Sequence, residues 1–309
     1  METVVKVAVL MSTYNGEKYL SEQINSILSQ KNVELSLFIR DDGSRDQTIN
    51  IIRNFQRDHS NIHLIEGDNL GVGNSFMCLV YRVPSDFDYY TFSDQDDVWL
   101  DDKIVSAINA LEENSTANLY CSNQTLIDKN GNRIGVRFNQ KPDVSCEQSF
   151  SINHITGCTM VWNQKLQILL QDKKRRPSKE LLESRIHDVW VGVVAGFTGN
   201  VIYDSNSYIL YRQHENNVVG AKEDGPIETL KWQIRKLKDP TIRNGRSLIA
   251  KEVCERFPEY TINHPLLKEA SNAETFSGRM KILHNSAAYR SHTKEGSISF
   301  AVKVLFGFF

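Results

Sequence analysis

Apolar residues in the first hundred positions alternate between two spacings. Residues 4–12 form a β-branched apolar run that is typical of a buried strand. Similar runs occur at residues 34–44, 61–67 and 87–97. Between these runs, apolar side chains recur at helical spacing, as Ile49, Ile52 and Phe55 do. This alternation predicts an α/β domain with a doubly wound, mostly parallel sheet that is flanked by helices.

Beyond residue 100 the pattern is less regular. Residues 118–135 read as a β-hairpin with Asn130 and Gly131 at its tip. Residues 150–170 predict a glycine-containing loop, a short strand and a helix, and residues 186–220 predict a helix, two short strands and a polar loop. From about residue 225 onward the pattern is helical, which predicts a helical C-terminal extension.

The overall composition is that of an ordinary soluble protein, but its charge is unevenly distributed. The chain has 309 residues, 40% of them apolar and 24% charged, with a net charge of −2. Such a balance gives no electrostatic case for a nucleic-acid partner. Residues 230–309 hold 14 Lys and Arg against 7 Asp and Glu, so we expect the C-terminal region to meet an anionic surface.

The cysteines and the N-terminus indicate a cytoplasmic protein. The five cysteines are far apart and form no CxxC pair, which favours free thiols in a reducing compartment over disulfides or a zinc site. The apolar run at residues 4–12 follows no basic segment, so we interpret it as a strand and not as a signal peptide. We also expect no membrane-spanning helix.

Polar motifs follow three of the predicted strands: "STYN", "RDDGS" and "SDQDD". Ligands of doubly wound sheets bind beyond the carboxyl ends of the strands, so these motifs should share one crevice. In "SDQDD", Asp94 and Asp96 favour a site for Mg²⁺ or Mn²⁺, because hard cations take carboxylate oxygens and would relieve the repulsion between them. Asp97 or Asp101 can instead cap the next helix.

The two other motifs leave alternatives open. Asp41 and Asp42 can cap the following helix, with Asp46 as the actual cap, or a carboxylate there can accept hydrogen bonds from a base or a ribose. Thr13 and Asn15 can meet a base or a phosphate near a helix start, whereas Tyr14 can serve simple packing. "GDNLGVGNSF" lacks the GxGxxG spacing and follows the third strand, which excludes a Rossmann dehydrogenase.

Two histidine-containing motifs lie further along the chain. In "RIHDVW", Asp188 is either a helix cap or a general base. In "LYRQHENN", His214 follows a predicted strand, where a single histidine is more often a surface or capping residue.

Taken together, these motifs resemble the inverting glycosyltransferases of family 2, which have the GT-A fold. The resemblance rests on "VLMSTYNGEKYLSEQINSIL", "IRDDGSRDQT", "SDQDDVW", "TGCTM", "HDVW" and "YRQHENN" and covers residues 5–220. Within this family, the motifs most resemble those of bacterial enzymes that build rhamnose-containing cell-wall or capsular polysaccharides. It implies a GT-A domain at residues 1–222, with a nucleotide-binding half at 1–100 and an acceptor half at 101–222, followed by a helical, basic region at 223–309.

The resemblance also implies roles for individual residues. Contacts to the donor nucleotide would come from Thr13, Tyr14, Asn15, Glu17, Asp41 and Asp94. Asp96 would bind Mg²⁺ or Mn²⁺ with His214 as a further ligand, and Asp188 would be the catalytic base. The loop around Gly157 would line the acceptor side. His187 replaces the family's usual Glu, and no QxxRW motif follows, which argues against a processive synthase.

The implied donor is a nucleotide-sugar, with dTDP-L-rhamnose as our first expectation and a UDP-hexose or UDP-amino sugar as the alternative. The implied acceptor is a saccharide, which is usually lipid-linked in such pathways. We therefore expect the C-terminal segment to touch the inner face of the cytoplasmic membrane, although it can instead pack on its own domain or mediate oligomerisation. The rival functions are an inactive sugar-binding protein and a nucleotidyltransferase, and "STYNGEKYL" lacks the basic glycine-rich loop that the latter needs.

Overall fold

The computed structural model describes residues 4–184, 186–214, 244–293 and 295–309. Its first half confirms the predicted alternation of strands and helices. The elements are β1 Lys6–Thr13, α1 Leu20–Leu28, β2 Glu34–Asp41, α2 Thr48–Asp58, β3 Ile62–Glu66, α3 Val72–Arg82 and β4 Tyr89–Ser93. β1 pairs in parallel with both β2 and β4, and β2 pairs in parallel with β3. The carboxyl ends of these strands therefore lie at one edge of the sheet.

The second half extends the same sheet with strands of both directions. Its elements are β5 Val98–Trp99, α4 Lys103–Glu112, β6 Ala117–Ile127, β7 Arg133–Val136, α5 Cys146–Ser151, β8 Val161–Asn163, α6 Gln164–Gln171, α7 Lys179–Ser184, α8 His187–Thr198 and β9 Asn200–Arg212. β8 lies antiparallel between β4 and β6, and β9 runs parallel to β6. The strand order is β3-β2-β1-β4-β8-β6-β9-β5, with β7 paired to β6.

The predicted hairpin at residues 118–135 is confirmed, since β6 and β7 pair in antiparallel fashion across the turn that holds Gly131. The prediction of two short strands after α8 is wrong. A single 13-residue strand, β9, occupies this stretch, and its register against β6 shifts near Asn123. Polar residues in the middle of β9 suggested a break, but the strand absorbs them by irregular pairing.

The sheet is buried on both faces, which explains the continuous apolar run of β1. Ala8 and Leu10 belong to one core cluster, whereas Val7, Val9 and Met11 belong to the cluster on the opposite face. Successive side chains of a strand point to opposite faces, so both faces require apolar residues here. The two layers of helices hold the sheet in place and leave the strand ends free to carry polar loops.

The described part of the C-terminal region is helical, as predicted. Its elements are α9 Gly245–Arg256, α10 Pro258–Thr261, α11 Pro265–Ala270, α12 Phe276–His284, α13 Ser286–Thr293 and α14 Ser297–Leu305. The helix predicted at residues 227–238 and the domain boundary at residue 222 lie outside the described residues. Trp190 of α8 packs on Phe257 with ring centroids 6.0 Å apart, and both belong to one core cluster. These helices therefore share a core with the sheet domain.

The last helix has a buried and an exposed side. Phe300, Val304 and Phe309 are buried, as the alternative of packing on its own domain requires, and the expected membrane contact stays a prediction. Ile298 and Phe306 instead expose 80% and 67% of their surface. Within the described parts of the chain, no helix is long and apolar enough to cross a membrane.

Candidate active site

The loops after β1 and β4 are joined by a pair of hydrogen bonds. The Tyr14 backbone N–H donates to Gln95 Oε1 at 2.9 Å, and Gln95 Nε2 donates to the Tyr14 carbonyl at 3.1 Å. Gly16 lies directly under this side chain, since a Cβ on Gly16 would come within 2.4 Å of Gln95 Oε1. The Tyr14 side chain is 48% exposed beside this joint, where a ring can stack on a planar ligand.

Asp41 organises the loop that follows β2. Its two carboxylate oxygens accept hydrogen bonds from Thr13 Oγ1 at 3.0 Å, from Ser44 Oγ at 2.6 Å, and from the backbone N–H groups of Gly43 and Ser44. Only 1% of Asp41 is exposed. In this conformation the carboxylate therefore shapes the loop, and its predicted contact with a nucleoside stays a prediction.

Asn15 and Glu17 connect the first loop to the second. The Asn15 backbone N–H donates to Ser44 Oγ and its side-chain oxygen accepts from the Arg45 N–H, both at 2.9 Å. Glu17 Oε2 accepts from the Gln47 N–H at 2.9 Å. The structure thus brings the predicted donor-binding residues Thr13, Tyr14, Asn15, Glu17 and Asp41 together in two interlocked loops.

Asp46 and Asp42, which the sequence left as alternative helix caps, have separate functions. Asp46 Oδ1 accepts from the backbone N–H of Thr48 at 3.0 Å, at the first residue of α2. Asp42 instead forms a buried ion pair with Arg40 and accepts from the N–H groups of Leu70 and Gly71. Asp42 therefore fixes the glycine-rich turn before α3 and does not cap α2.

The three carboxylates of "SDQDD" point in different directions. Asp97 is fully buried, and its Oδ1 accepts from the Arg212 N–H at 3.0 Å. The prediction that Asp97 caps the next helix is therefore wrong, because this carboxylate ties the loop to the end of β9. Burial, followed by the charges of Asp96 and Asp94, raises the pKa of Asp97 well above its usual value. The Lys103 Nζ lies 3.9 Å from the Trp99 ring centroid in the same buried region.

Asp96 meets His214, as the resemblance implies. Asp96 Oδ2 lies 2.7 Å from His214 Nε2, and both side chains are partly exposed. The His214 ring stacks on Tyr19 with centroids 5.4 Å apart. The Arg212 guanidinium lies 4.5 Å from the same Tyr19 ring, and its Nε donates to the Asp96 carbonyl at 2.9 Å. Tyr19 and Arg212 therefore hold the pair in place. Arg212 lies in the motif of His214, whereas no motif singled out Tyr19.

The Asp96–His214 pair fits a divalent cation. Neighbouring ligand atoms of an octahedral ion bound at about 2.1 Å are about 3 Å apart, close to the observed Oδ2–Nε2 separation. Asp94, Asp97 and Cys158 also have ligand atoms within 4.8 Å of one another. Burial and then the charge of Asp97 raise the pKa of the Cys158 thiol well above its usual value. A protonated thiol does not suit a hard cation, so the exposed pair fits better.

Asp188 lies in the first turn of α8, close enough to Asp94 for its charge to act on that carboxylate. It is 7% exposed, and its Oδ1 accepts from the Val189 N–H at 2.6 Å. Burial raises the pKa of Asp188 to about 6 despite the opposing N–H groups of Val189 and Gly157. Burial also raises the pKa of Asp94 to about 7, with further contributions from the charges of Asp96 and Asp188. Asp96 and Asp188 are therefore each close enough to Asp94 for their charges to act on it.

His187 points away from this crevice. It is 3% exposed and stacks on Phe76 at 3.9 Å, with Phe92 edge-on at 4.7 Å. Burial lowers the pKa of His187 to about 3, so the ring is neutral. A Cβ on Gly157 would lie 2.7 Å from His187 Nε2 and 3.4 Å from Asp188 Cβ. The residue that replaces the family's Glu therefore packs under the loop around Gly157.

Comparisons with known proteins identify the family and the fold. The model of the family described as "Glycosyl transferase family 2" matches residues 8–167. The dTDP-rhamnosyl transferase RfbG of Shigella flexneri is 37% identical over 223 residues, which cover 68% of this chain and 74% of RfbG.

Two solved structures show the same fold. S. aureus TarS 1-349 in complex with UDP-GlcNAc has a TM-score of 0.57 at 15% identity and covers 97% of this chain and 90% of TarS. The mannosyltransferase PcManGT from Pyrobaculum calidifontis, in complex with GDP-Man and Mn²⁺, has a TM-score of 0.53 at 13% identity and covers 98% of this chain and 87% of its own. The chain therefore belongs to glycosyl transferase family 2, has the GT-A fold, and is a glycosyltransferase.

Proposed function

We propose that this protein is a metal-dependent, inverting glycosyltransferase that moves a sugar from dTDP-L-rhamnose to a saccharide acceptor in the synthesis of a bacterial surface polysaccharide. One observation carries the reaction class: Asp94 feels the charges of both Asp96, which pairs with His214, and the buried Asp188. The similarity to the dTDP-rhamnosyl transferase RfbG supports the donor.

The two interlocked loops would bind the nucleotide. Tyr14 offers an exposed ring for the base, and Thr13, Asn15, Glu17 and Asp41 shape the pocket around the nucleoside. Asp94 would lie toward the diphosphate. Asp96 and His214 would hold Mg²⁺ or Mn²⁺, which when bound supplies positive charge for the leaving diphosphate.

Asp188 would act as the general base. Since its pKa is about 6, most of the carboxylate is ionised at neutral pH, yet it remains basic enough to accept a proton. It would remove the proton of the acceptor hydroxyl while that oxygen attacks the anomeric carbon. The new C–O bond forms as the bond to the diphosphate oxygen breaks, and this single displacement inverts the anomeric configuration.

The proposed function has two alternatives, one with a different donor and one without catalysis. A UDP-hexose or UDP-amino sugar would use the same carboxylates, because they act on the diphosphate and on the acceptor hydroxyl and do not select the sugar. A sugar-binding protein without catalysis is the second alternative. The raised pKa of Asp188 favours an enzyme, since binding alone requires no carboxylate of this kind in the crevice.

We further propose that residues 223–309 bring the enzyme to a lipid-linked acceptor at the inner face of the cytoplasmic membrane. Ile298, Phe306 and Phe276 expose 80%, 67% and 76% of their surface. Residues 276–309 contain five Lys and Arg and one acidic residue, a composition that suits an anionic lipid surface. The alternative for this face is self-association.

Vesicle flotation tests the membrane contact. Deletion of residues 298–309 would also remove the buried Phe300 and Phe309, so the exposed positions are better targets. Replacing Ile298 and Phe306 together by Ser should reduce co-flotation with anionic vesicles, whereas the control Ile134→Ser, at an exposed β7 position, should not. Equal flotation of both variants would refute the contact, and a concentration-dependent dimer abolished by the double variant would favour self-association.

A thermal-shift screen of nucleotide-sugars tests the donor and the metal together. A ligand that binds the folded state raises its stability by mass action. We expect dTDP-L-rhamnose with Mn²⁺ or Mg²⁺ to raise the melting temperature most, and the shift to vanish when EDTA is added. A larger rise in melting temperature with a UDP-sugar would indicate that the donor is that UDP-sugar and not dTDP-L-rhamnose. A rise that does not depend on metal would contradict the proposed metal site at Asp96 and His214.

A further inference from the structure

A group of side chains of the types that bind metals lies where α5 meets the C-terminal helices. Among the described residues, Cys146, Glu147 and His264 form one of two groups of three His, Cys, Asp or Glu side chains whose ligand atoms all lie within 4.8 Å of one another. Cys146 and Glu147 open α5, and His264 immediately precedes α11. This cluster could not be predicted from the sequence, because its members come from two distant parts of the chain.

The distances suit a tetrahedral ion. Cys146 Sγ lies 2.9 Å from Glu147 Oε2, and His264 Nδ1 lies 3.5 Å from Glu147 Oε1. Ligand atoms at about 2.0–2.3 Å from a tetrahedral zinc ion are about 3.3–3.7 Å apart, so small side-chain rotations would complete the site. A thiolate, an imidazole and a carboxylate together favour zinc over Mg²⁺ or Ca²⁺, which prefer oxygen ligands alone.

The surrounding structure holds these side chains and leaves room for a fourth ligand. Ser145 caps α5 by accepting from the Gln148 N–H, and Cys146 packs tightly against Gly196 of α8. The ring of His264 rests edge-on against Phe197 at 4.7 Å. A cavity of about 380 Å³ borders Glu147, His264 and His292. The fourth position of an ion would face this cavity on the His292 side.

A nucleophilic role for Cys146 does not fit the site. Burial, followed by the neighbouring Glu147, raises the pKa of the Cys146 thiol to about 12, whereas a reactive cysteine needs a lowered value. The Cys146 S–H group instead donates a hydrogen bond to Glu147 Oε2. A cation between the two would remove the reason for this hydrogen bond and would favour the thiolate.

We propose that Cys146, Glu147 and His264 bind a zinc ion that fastens the C-terminal helices to the glycosyltransferase domain and keeps its fourth position open to the cavity. On binding, the S–H bond of Cys146 breaks, a sulfur–zinc bond forms, and one proton leaves to solvent. This site is separate from the Asp96–His214 pair and does not depend on the proposed donor or acceptor.

Zinc titration of the EDTA-treated, full-length protein tests the site. The Asp96→Ala variant is used as the background, so that zinc at the catalytic pair does not contribute. We expect about one zinc per chain, release of about one proton per ion in calorimetry across buffers of different ionisation enthalpy, and a higher melting temperature. With Co²⁺ in place of zinc, a thiolate-to-cobalt charge-transfer band should appear in the near ultraviolet.

Matched variants make the test decisive. Cys146→Ser and His264→Ala should each lower zinc affinity by at least about 10–100-fold, the usual cost of losing even an outer partner of a metal site. Cys254→Ser, which removes a half-buried thiol outside the cluster, should leave zinc binding and the cobalt band unchanged. No cobalt–thiolate band in the Asp96→Ala background, or equal zinc affinity in Cys146→Ser and Cys254→Ser, would overturn the proposal, whatever donor the enzyme uses.

Discussion

The loops after β1 and β2 are held mainly by hydrogen bonds between their polar groups, whereas burial governs the protonation of the titratable groups around Asp188. In the two loops, Asp41, Asn15 and Glu17 all accept hydrogen bonds from neighbouring backbone or hydroxyl groups. Around α8, burial shifts the pKa of Asp188 upward and that of His187 downward, and neither ring nitrogen of His187 has a hydrogen-bond partner among the described residues.

This difference suggests that the loops bind the donor and that the segment around Asp188 carries out the transfer. Loops whose hydrogen bonds are satisfied are already in a fixed shape, so a ligand loses little free energy in ordering them. A buried carboxylate with a raised pKa is poorly solvated, which is the state that a general base requires. We therefore expect substitutions in the loops to change donor binding and substitutions near Asp188 to change the rate of transfer.

The largest effect should come from Asp188→Asn. The amide has nearly the same shape but cannot accept the acceptor's proton, so transfer should fall by about 10²–10⁴-fold. Donor affinity should change little. Initial rates and calorimetric donor binding measure the two effects, with Asp58→Asn, on the exposed end of α2, as the matched control. A variant that keeps wild-type turnover would remove Asp188 from the mechanism.

Asp96→Ala should act on the metal and the donor instead. Loss of this carboxylate leaves His214 without the second ligand of the pair, so metal-dependent donor affinity should fall by at least about 10–100-fold. Calorimetry of donor binding with and without Mn²⁺ measures this loss. If wild type binds the donor equally well with and without the metal, the metal site is contradicted.

Two glycine substitutions test the comparison between the regions. Gly157→Ala pushes a methyl group against His187, whose ring is confined by Phe76, so Asp188 should shift and the rate should fall by about 10²-fold. Gly16→Ala meets only the end of the Gln95 side chain, so we expect a change of a few-fold at most, mainly in KM. Equal losses of kcat in the two variants would contradict the proposal that the loops act on donor binding and the Asp188 segment on the rate of transfer.

Arg212→Met should have a smaller effect than Asp96→Ala. Removing the guanidinium takes away its hydrogen bond to the Asp96 carbonyl and its contact with Tyr19, so Mn²⁺ affinity should fall by about tenfold. The melting temperature monitors any loss of folding. Arg53→Met, which removes an exposed ion pair with Glu66, should leave Mn²⁺ affinity unchanged.

The local sequence pattern predicted the first half of the fold well, because the central strands β1 and β4 are buried on both faces and each helix has one apolar side. It failed for β9, whose polar positions are tolerated through irregular pairing with β6. It also failed for Asp97, since a carboxylate at the start of a helical segment resembles a cap until the distant Arg212 is placed beside it. Neither failure could have been detected from neighbouring residues.

The candidate active site shows the same limit, because contacts between residues that are distant in the sequence could not be predicted from local patterns. The acidic motifs at the strand ends were identifiable because topology brings strand ends together. The contacts of Tyr19 and Arg212 around His214 were not, because they join residues almost two hundred positions apart. The roles of Asp188, Asp96 and His214 remain proposals that rest on this geometry and on the family resemblance.

The pH dependence of single-turnover transfer, at saturating donor and metal, tests the central claim most directly. Asp188 must be ionised to accept a proton, so a raised pKa of about 6 places the acidic limb of the profile there. We predict that the wild-type rate rises through about pH 6 to a plateau and that the limb disappears in the residual activity of Asp188→Asn. A rate that does not change with pH across this range, or an identical limb in Asp188→Asn, would contradict the assignment of Asp188 as the base.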